Sequence, residues 1–183
     1  MSSDRQRRER FEAIADEVYE PTQRYLRRRA APSDAEDALA DVMLTVWRRL
    51  DDAPEDRVLP WSYGIARRTL ANQRRGQARH LRLVRRLGSE PGPISVPDPA
   101  DAGPEPELAA ALDAQSREDR EILRLWAWER LEPREIASVI DVSVNATTLR
   151  LSRARKRLAA TLARQNPTAA GHNQVEGTSG DTR

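Results

Sequence analysis

The stretch from Leu131 to Leu158, LEPREIASVIDVSVNATTLRLSRARKRL, carries a short and a long helical pattern with almost nothing between them. Pro133 sits where a helix can open, because its missing N–H would be unpaired there in any case. Ile136, Ala137 and Ile140 share one face at helical spacing. Asp141 falls in the turn, where a left-handed backbone is often needed and Asp tolerates it well. Ser143 is a natural N-cap, since its hydroxyl can accept from N–H groups of the next turn. After it Val144, Thr147, Leu151, Ala154 and Leu158 recur every three or four residues and predict one buried stripe. The other side carries Asn145, Thr148, Leu149, Ser152, Arg153, Lys156 and Arg157. Polar at its start and cationic at its end, that face has the layout of a helix-turn-helix whose second helix enters a DNA major groove.

A basic amphipathic helix by itself is often only a solvated surface, and cations near a helix C-terminus also complement its dipole. The preceding helix, the turn and the cap together favour the DNA-reading alternative. Charge is distributed to match. Residues 1–87 carry 19 basic and 14 acidic side chains, residues 88–116 six acidic and none basic, and residues 117–164 eleven basic and seven acidic. Two basic blocks therefore flank an acidic one. Lys156 is the only lysine, and the other cations are arginines, whose forks suit phosphate and guanine. With no cysteine and only His80 and His172, a disulfide framework or thiolate zinc site is excluded and a metal centre or other cofactor is not expected. The scattered carboxylates form no catalytic motif and there is no phosphate-binding loop, so an enzyme is not expected. The N-terminus lacks an apolar signal-type core and no run approaches membrane-spanning length, which predicts a cytoplasmic protein without membrane insertion.

Helical period dominates throughout, so the expected fold class is all-α. A first helix is predicted from about Arg8 to Arg29, with Phe11, Ile14, Ala15, Val18, Tyr25 and Leu26 as core and Pro21 kinking or dividing it. Ser33-Asp34-Ala35-Glu36 reads as a capping box opening a second helix to about Leu50. A third runs from about Pro60 into an arginine-rich end near Arg86. Residues 88–106 hold six of the twelve prolines and read as a flexible acidic linker. Helical signals return at Glu107, and the polar chain after about residue 165 reads as a disordered tail. The expectation is two small helical domains, 8–87 and 107–164, joined by a tether.

Three segments then resemble a known family. SDAEDALADVMLTVWRRL (Ser33 to Leu50) and WSYGIARRTLANQRRG (Trp61 to Gly76) resemble the N-terminal domain of bacterial sigma factors of the sigma-70 class, in the compact extracytoplasmic-function group. REDREILRLWAWERLEPREIASVIDVSVNATTLRLSRARKRL (Arg117 to Leu158) resembles their C-terminal domain. The match covers both domains in the family's order and leaves only the linker and tail uncovered. It implies that residues 8–87 dock on the clamp of core RNA polymerase and read the minus-ten promoter element. It implies that residues 107–164 read the minus-thirty-five element and meet the flap region, with the acidic linker running toward the RNA exit path. Many members are held inactive by an anti-sigma partner covering both domains, and a flexible tether permits such clamping.

The resemblance carries roles onto particular residues. Asp37 and Asp41 fall where the family contacts the clamp, although negative charge near a helix start also stabilises the dipole. Ala40 stands where many relatives carry Gln, which removes one polar contact. Trp61, Tyr63, Arg67, Arg68, Asn72, Arg74 and Arg75 match the minus-ten surface, where rings stack on unpaired bases and cations track phosphates. For Trp61 a plain core position is the competing reading. Arg68 stands where several relatives carry Asn. Asn145, Thr148, Leu149, Ser152, Arg153 and Lys156 match the minus-thirty-five reader, with Arg153 suited to the O6 and N7 of guanine. Thr148 and Leu149 replace the common Lys or Arg and Ser, so the preferred element is expected to differ from the usual one. Arg150, Arg155 and Arg157 read as phosphate contacts or surface charges, and Trp126 and Trp128 as packing residues. The competing function is a free-standing helix-turn-helix regulator that acts without joining polymerase. A single small reader argues against it, since one such module usually needs a partner for specificity.

Overall fold

A computed structural model describes residues 2–86 and 106–165 of the chain. Among the described residues there are helices and turns and no strand. Helices α1 (Ser2–Arg27), α2 (Pro32–Arg48) and α3 (Val58–Arg86) pack on one another, with a short 3-10 turn at Leu50–Asp52 before α3. Helices α4 (Pro106–Asp113), α5 (Arg117–Ala127), α6 (Pro133–Ile140) and α7 (Val144–Gln165) form the second domain, with α7 touching each of the other three. The expected linker and tail lie outside the described residues, apart from Pro106 and Gln165 at helix ends.

The first domain is centred on Val18, Leu26, Val42, Val46 and Ala66, each fully or almost fully buried. Of the expectation that Pro21 kinks or divides α1, division does not occur: the helix continues through it to Arg27. The carbonyl that loses its donor belongs to Glu17 on the exposed side, while buried Val18, Thr22 and Tyr25 hold the flanking turns against the core. The capping box at Ser33 does not form, because α2 opens two residues earlier, with Ala31 extended as N-cap and Pro32 in the first helical position. Ser33 thus lies within the first turn, and the proline's fixed φ opens the helix in place of a side-chain cap.

The second domain follows its sequence signals closely. Pro133 opens α6, and Glu135 reaches back to accept from the Glu132 backbone N–H at 2.7 Å. Asp141 is left-handed at φ 60° and ψ 53°, and the following Val142 N–H closes onto Ala137 O at 3.1 Å. The Ser143 hydroxyl accepts from the Ala146 N–H at 3.3 Å, starting α7. Of the predicted stripe, Thr147, Leu151 and Ala154 are buried and Leu158 packs against the core. Val144 is instead half exposed, because it is the first helical residue and projects beyond the stretch that packs on α5 and α6.

Arg150 and Arg157, read as phosphate contacts or surface charges, are engaged in ion pairs within the domain. The carboxylate of Asp119 accepts from Arg150 Nε at 2.9 Å and from Arg157 Nη2 at 2.7 Å, and Arg150 also pairs with Glu118. These bonds strap α7 to the first turn of α5. Burial alone would raise the Asp119 pKa, but the Arg150 hydrogen bond, the Ser116 hydroxyl and the Arg157 charge outweigh it and hold the carboxyl below its ordinary 3.8. Stability from this group is therefore complete above that value and lost as pH falls through the depressed pKa. Asp119→Ala is expected to lower the stability of the chain by about 2 kcal/mol, allowing for the partial exposure of both arginines. Thermal denaturation at neutral pH measures this, with Arg153→Ala as a variant expected to melt like the parent.

Candidate nucleic-acid interface

Helix α7 presents its predicted reading face to solvent. Asn145, Thr148, Leu149, Ser152, Arg153 and Lys156 are all exposed, and their spacing places them along one side of the helix. The Thr148 hydroxyl donates to Val144 O at 2.9 Å, which leaves its oxygen as an acceptor toward solvent. Leu149 is half exposed and lies between polar neighbours, so an apolar contact is part of this surface. Arg155, by contrast, lies over the Trp126 ring, 4.3 Å from its centroid. Trp126 is thus a partly exposed platform for a cation, while Trp128 packs against the core with Arg124 over its ring.

On α2, Asp37 and Asp41 are exposed one turn apart, and the next turn adds exposed Leu44. Trp47 is also partly exposed, edge-on to Phe11 with a centroid distance of 5.3 Å, and Arg7 lies over its ring. The face available to a partner is therefore acidic with apolar residues beside it.

The predicted residues of α3 divide into two groups. Arg68, Asn72, Arg74 and Arg75 are exposed and Arg67 is half-buried. Arg74 donates to Arg29 O at 2.8 Å, and Arg75 donates to the Asn72 side-chain oxygen. Trp61 packs against the core, in agreement with the competing reading of that residue. Tyr63 is buried and stacks on Tyr25 at 5.0 Å between centroids, so in this arrangement it offers no face to a base. Burial, followed by the charge of Glu129, pushes its hydroxyl up to about 12.

Tyr63 is buried because the two domains meet there. Helix α3 packs on α6 where buried Gly64 would bring a Cβ to 3.9 Å from the Val139 backbone, already van der Waals contact. Beside that crossing, the almost fully buried Arg29 donates to both Glu121 oxygens at 3.2 Å and to Glu129 at 2.9 Å. Tyr25 O–H donates to Glu121 at 2.9 Å, and Arg28 pairs with Glu129. Arg29 also lies over the Tyr25 ring, 3.6 Å from its centroid. No local pattern announces this cluster, since its partners are about a hundred residues apart; the only cue is an arginine at the end of an apolar stripe.

Among the described residues the chain is helical, with an exposed polar and cationic face on α7 in one domain and an arginine-bearing helix, α3, in the other. The family descriptions Sigma-70 region 2 and Sigma-70, region 4 match residues 11–87 and 107–158. RNA polymerase sigma factor NccH of Alcaligenes xylosoxydans xylosoxydans is 30% identical over 141 residues, covering 71% of this chain and 74% of that one. Two solved structures share the fold. Sigma factor RpoE, in complex with the anti-sigma factor NepR from Bartonella quintana, aligns with TM-score 0.63 and 21% identity over 83% of this chain and 96% of that one. CnrH, in complex with the cytosolic domain of CnrY, aligns with TM-score 0.57 and 24% identity over 84% and 88%. The chain belongs to the sigma-70 family of RNA polymerase sigma factors, in its extracytoplasmic-function group.

The domain contact depends on charge. Burial alone would raise the Glu121 pKa, but the Arg29 charge and the hydrogen bonds from Arg29 and Tyr25 hold it below its ordinary 4.5. Its contribution is complete above that value and lost as pH falls through the depressed pKa. Glu129→Gln leaves the buried Arg29 charge half-compensated, a defect typically costing about 3–5 kcal/mol. The expected result is separation of the domains, seen as a larger radius of gyration by small-angle scattering at neutral pH. The parent is expected to expand in the same way only in acid.

Proposed function

We propose that this sigma factor joins core RNA polymerase through α2, reads the minus-thirty-five element with α7 and captures the opened minus-ten strand along α3. The observation that carries the reading is the pairing of two family matches, one per domain, with an exposed base-reading face on α7. Asp37 and Asp41, with Leu44 beside them, form the surface assigned to the polymerase clamp, and the second domain is assigned to the flap. Arg153 is assigned the guanine contact and Lys156 a phosphate, while Leu149 supplies apolar contact of the kind a thymine methyl accepts. Arg67, Arg68, Asn72, Arg74 and Arg75 are assigned to the strand backbone and bases. In the arrangement described above, that α3 face looks across a cleft at α5, so full engagement of a strand requires the domains to part. The protein acts in the cytoplasm, carries out no reaction of its own and needs no cofactor. The complex of RpoE with the anti-sigma factor NepR supports a similar partner for this chain, one that would stabilise the closed pair of domains.

Run-off transcription with purified core polymerase on a pool of promoter fragments tests the assignment. Discrete new start sites are expected only when both proteins are present. Tight specific DNA binding by the chain alone, without new transcripts, would favour the free-standing regulator instead. In the same assay Arg153→Ala is expected to weaken the best promoter by roughly 10- to 100-fold and to relax preference at one base pair, corresponding to a bidentate contact of about 1–3 kcal/mol. The double variant Asp37→Ala, Asp41→Ala is expected to lose core polymerase in a pull-down while keeping its thermal stability.

A further inference from the structure

Between α3 and α5 the two domains enclose an open cleft of about 750 Å³. Eight arginines and two glutamates line it. Several of the arginines are already committed. Arg120 donates to the carbonyls of Leu112, Asp113 and Gln115 and pairs with Asp113, while Arg74 is tied to the Arg29 carbonyl after α1 and Arg75 to Asn72 on its own helix. Of the two glutamates, Glu118 is taken by Arg150 and Glu121 by Arg29. What remains is cationic on both walls. Arg67 and Arg68 on α3, and Arg117 on α5, make no ion pair among the described residues.

Two further arginines of this lining, Arg29 and Arg124, carry buried donors. Arg29 Nη2 and Arg124 Nε are buried and have no hydrogen-bond partner among the described residues. The side chain of Arg29 is only 3% exposed, so this donor has no easy access to bulk water. Native structures seldom leave such groups unmet, because each costs on the order of 1–3 kcal/mol. Burial, and after it the like charge of Arg29, pushes the Arg124 guanidinium down.

We propose that this cleft binds a short polyphosphate chain, which bridges the arginines of the two domains and holds them together. Guanidinium forks match phosphate oxygens in pairs, and a cleft of this size falls within the roughly 300–1,000 Å³ typical of ligand sites. Arg67 and Arg68 on one wall and Arg117 on the other are the guanidinium groups without ion pairs that a chain of several phosphates would bridge. The site selects phosphate rather than base. The one ring lining it, Tyr25, already stacks on Tyr63 and lies under Arg29, and the Asn72 amide oxygen is taken by Arg75. Inorganic polyphosphate and the phosphate chain of a nucleotide therefore present the same chemistry here. Binding itself does not depend on the promoter-reading assignment. Its consequence does: a bound chain would compete with a promoter strand for α3 and oppose opening of the domains.

Calorimetric titration of the full chain in 0.15 M salt, using sodium tripolyphosphate and ATP as separate probes, tests the site directly. One saturable site per chain is expected, weakened about tenfold or more by Arg67→Ser and by Arg117→Ser, one on each wall. Arg153→Ser, which removes the same charge from the far face of α7, is expected to stay within about twofold of the parent. Equal affinities for the two probes would assign recognition to the phosphate chain, and tighter ATP binding would assign the source to nucleotides. Circular dichroism melting confirms that the variants remain folded. Three results would each overturn the proposal. They are no saturable binding, equal weakening by Arg153→Ser, or sensitivity to Arg67→Ser with none to Arg117→Ser; the last would leave α3 as a nucleic-acid surface only. Absence of new transcripts from the parent chain with core polymerase, together with intact tripolyphosphate binding, would count against the promoter-reading assignment and not against this site.

Discussion

A guanidinium taken out of water must bring its counter-charges with it, and Arg29 brings them from the other end of the chain. Its side chain is 3% exposed, and both of its carboxylate partners, Glu121 and Glu129, belong to the second domain. Without them a buried cation would stand alone at the end of α1, a costly state even after local relaxation. The consequence runs both ways. The pairing aligns α3 with α6, buries Tyr63 against Tyr25 and forms the arginine cleft, so every feature of the domain interface depends on this neutralisation. A buried pair of this kind gives little net stability over well-packed apolar side chains, but it does specify one mutual orientation.

The same economy of charge separates structural from functional cations on α7. Arg150 and Arg157 turn inward along the helix to Asp119, and Arg155 covers Trp126. Arg153 and Lys156 project from the exposed side with Asn145, Thr148 and Ser152. A reading helix needs this division. Side chains held by carboxylates fix its angle on the domain, and a guanidinium without such a tie can exchange water for a base edge at smaller cost.

Much of this was legible in the sequence where the determinants are local. Pro133, Asp141 and Ser143 act on their own backbone or on residues within a turn of it, so the helix-turn-helix could be read from spacing alone. Local cues failed where a neighbour decided the outcome. Ser33 had the right residues for a capping box, yet Pro32 just before it opened the helix first. Pro21 should interrupt a helix, yet the packing of Val18 and Tyr25 on either side carries α1 through it. Val144 fits the apolar period but lies one turn before the packed surface begins. Tyr63 looked like a stacking ring beside cations and proved to be packed beneath the second domain. Nothing within ninety residues of Arg29 names its partners, and so the interface, and the cleft it encloses, were illegible without the fold.

The closed arrangement also limits how the protein can work. A partner that needs the domains apart binds a minor state, and its apparent affinity falls by the fraction of molecules already open. An interface worth about 3 kcal/mol would keep that fraction below roughly one in a hundred, since each 1.4 kcal/mol is a factor of ten. Core polymerase and promoter DNA can supply the difference only through contacts unavailable in the closed state. On the reading proposed above, those contacts include the half of the α3 face that looks onto α5. Any ligand that bridges the cleft draws on the same equilibrium from the other side. Affinity for polymerase and affinity for such a ligand are then reciprocally linked, whichever of the two binds first.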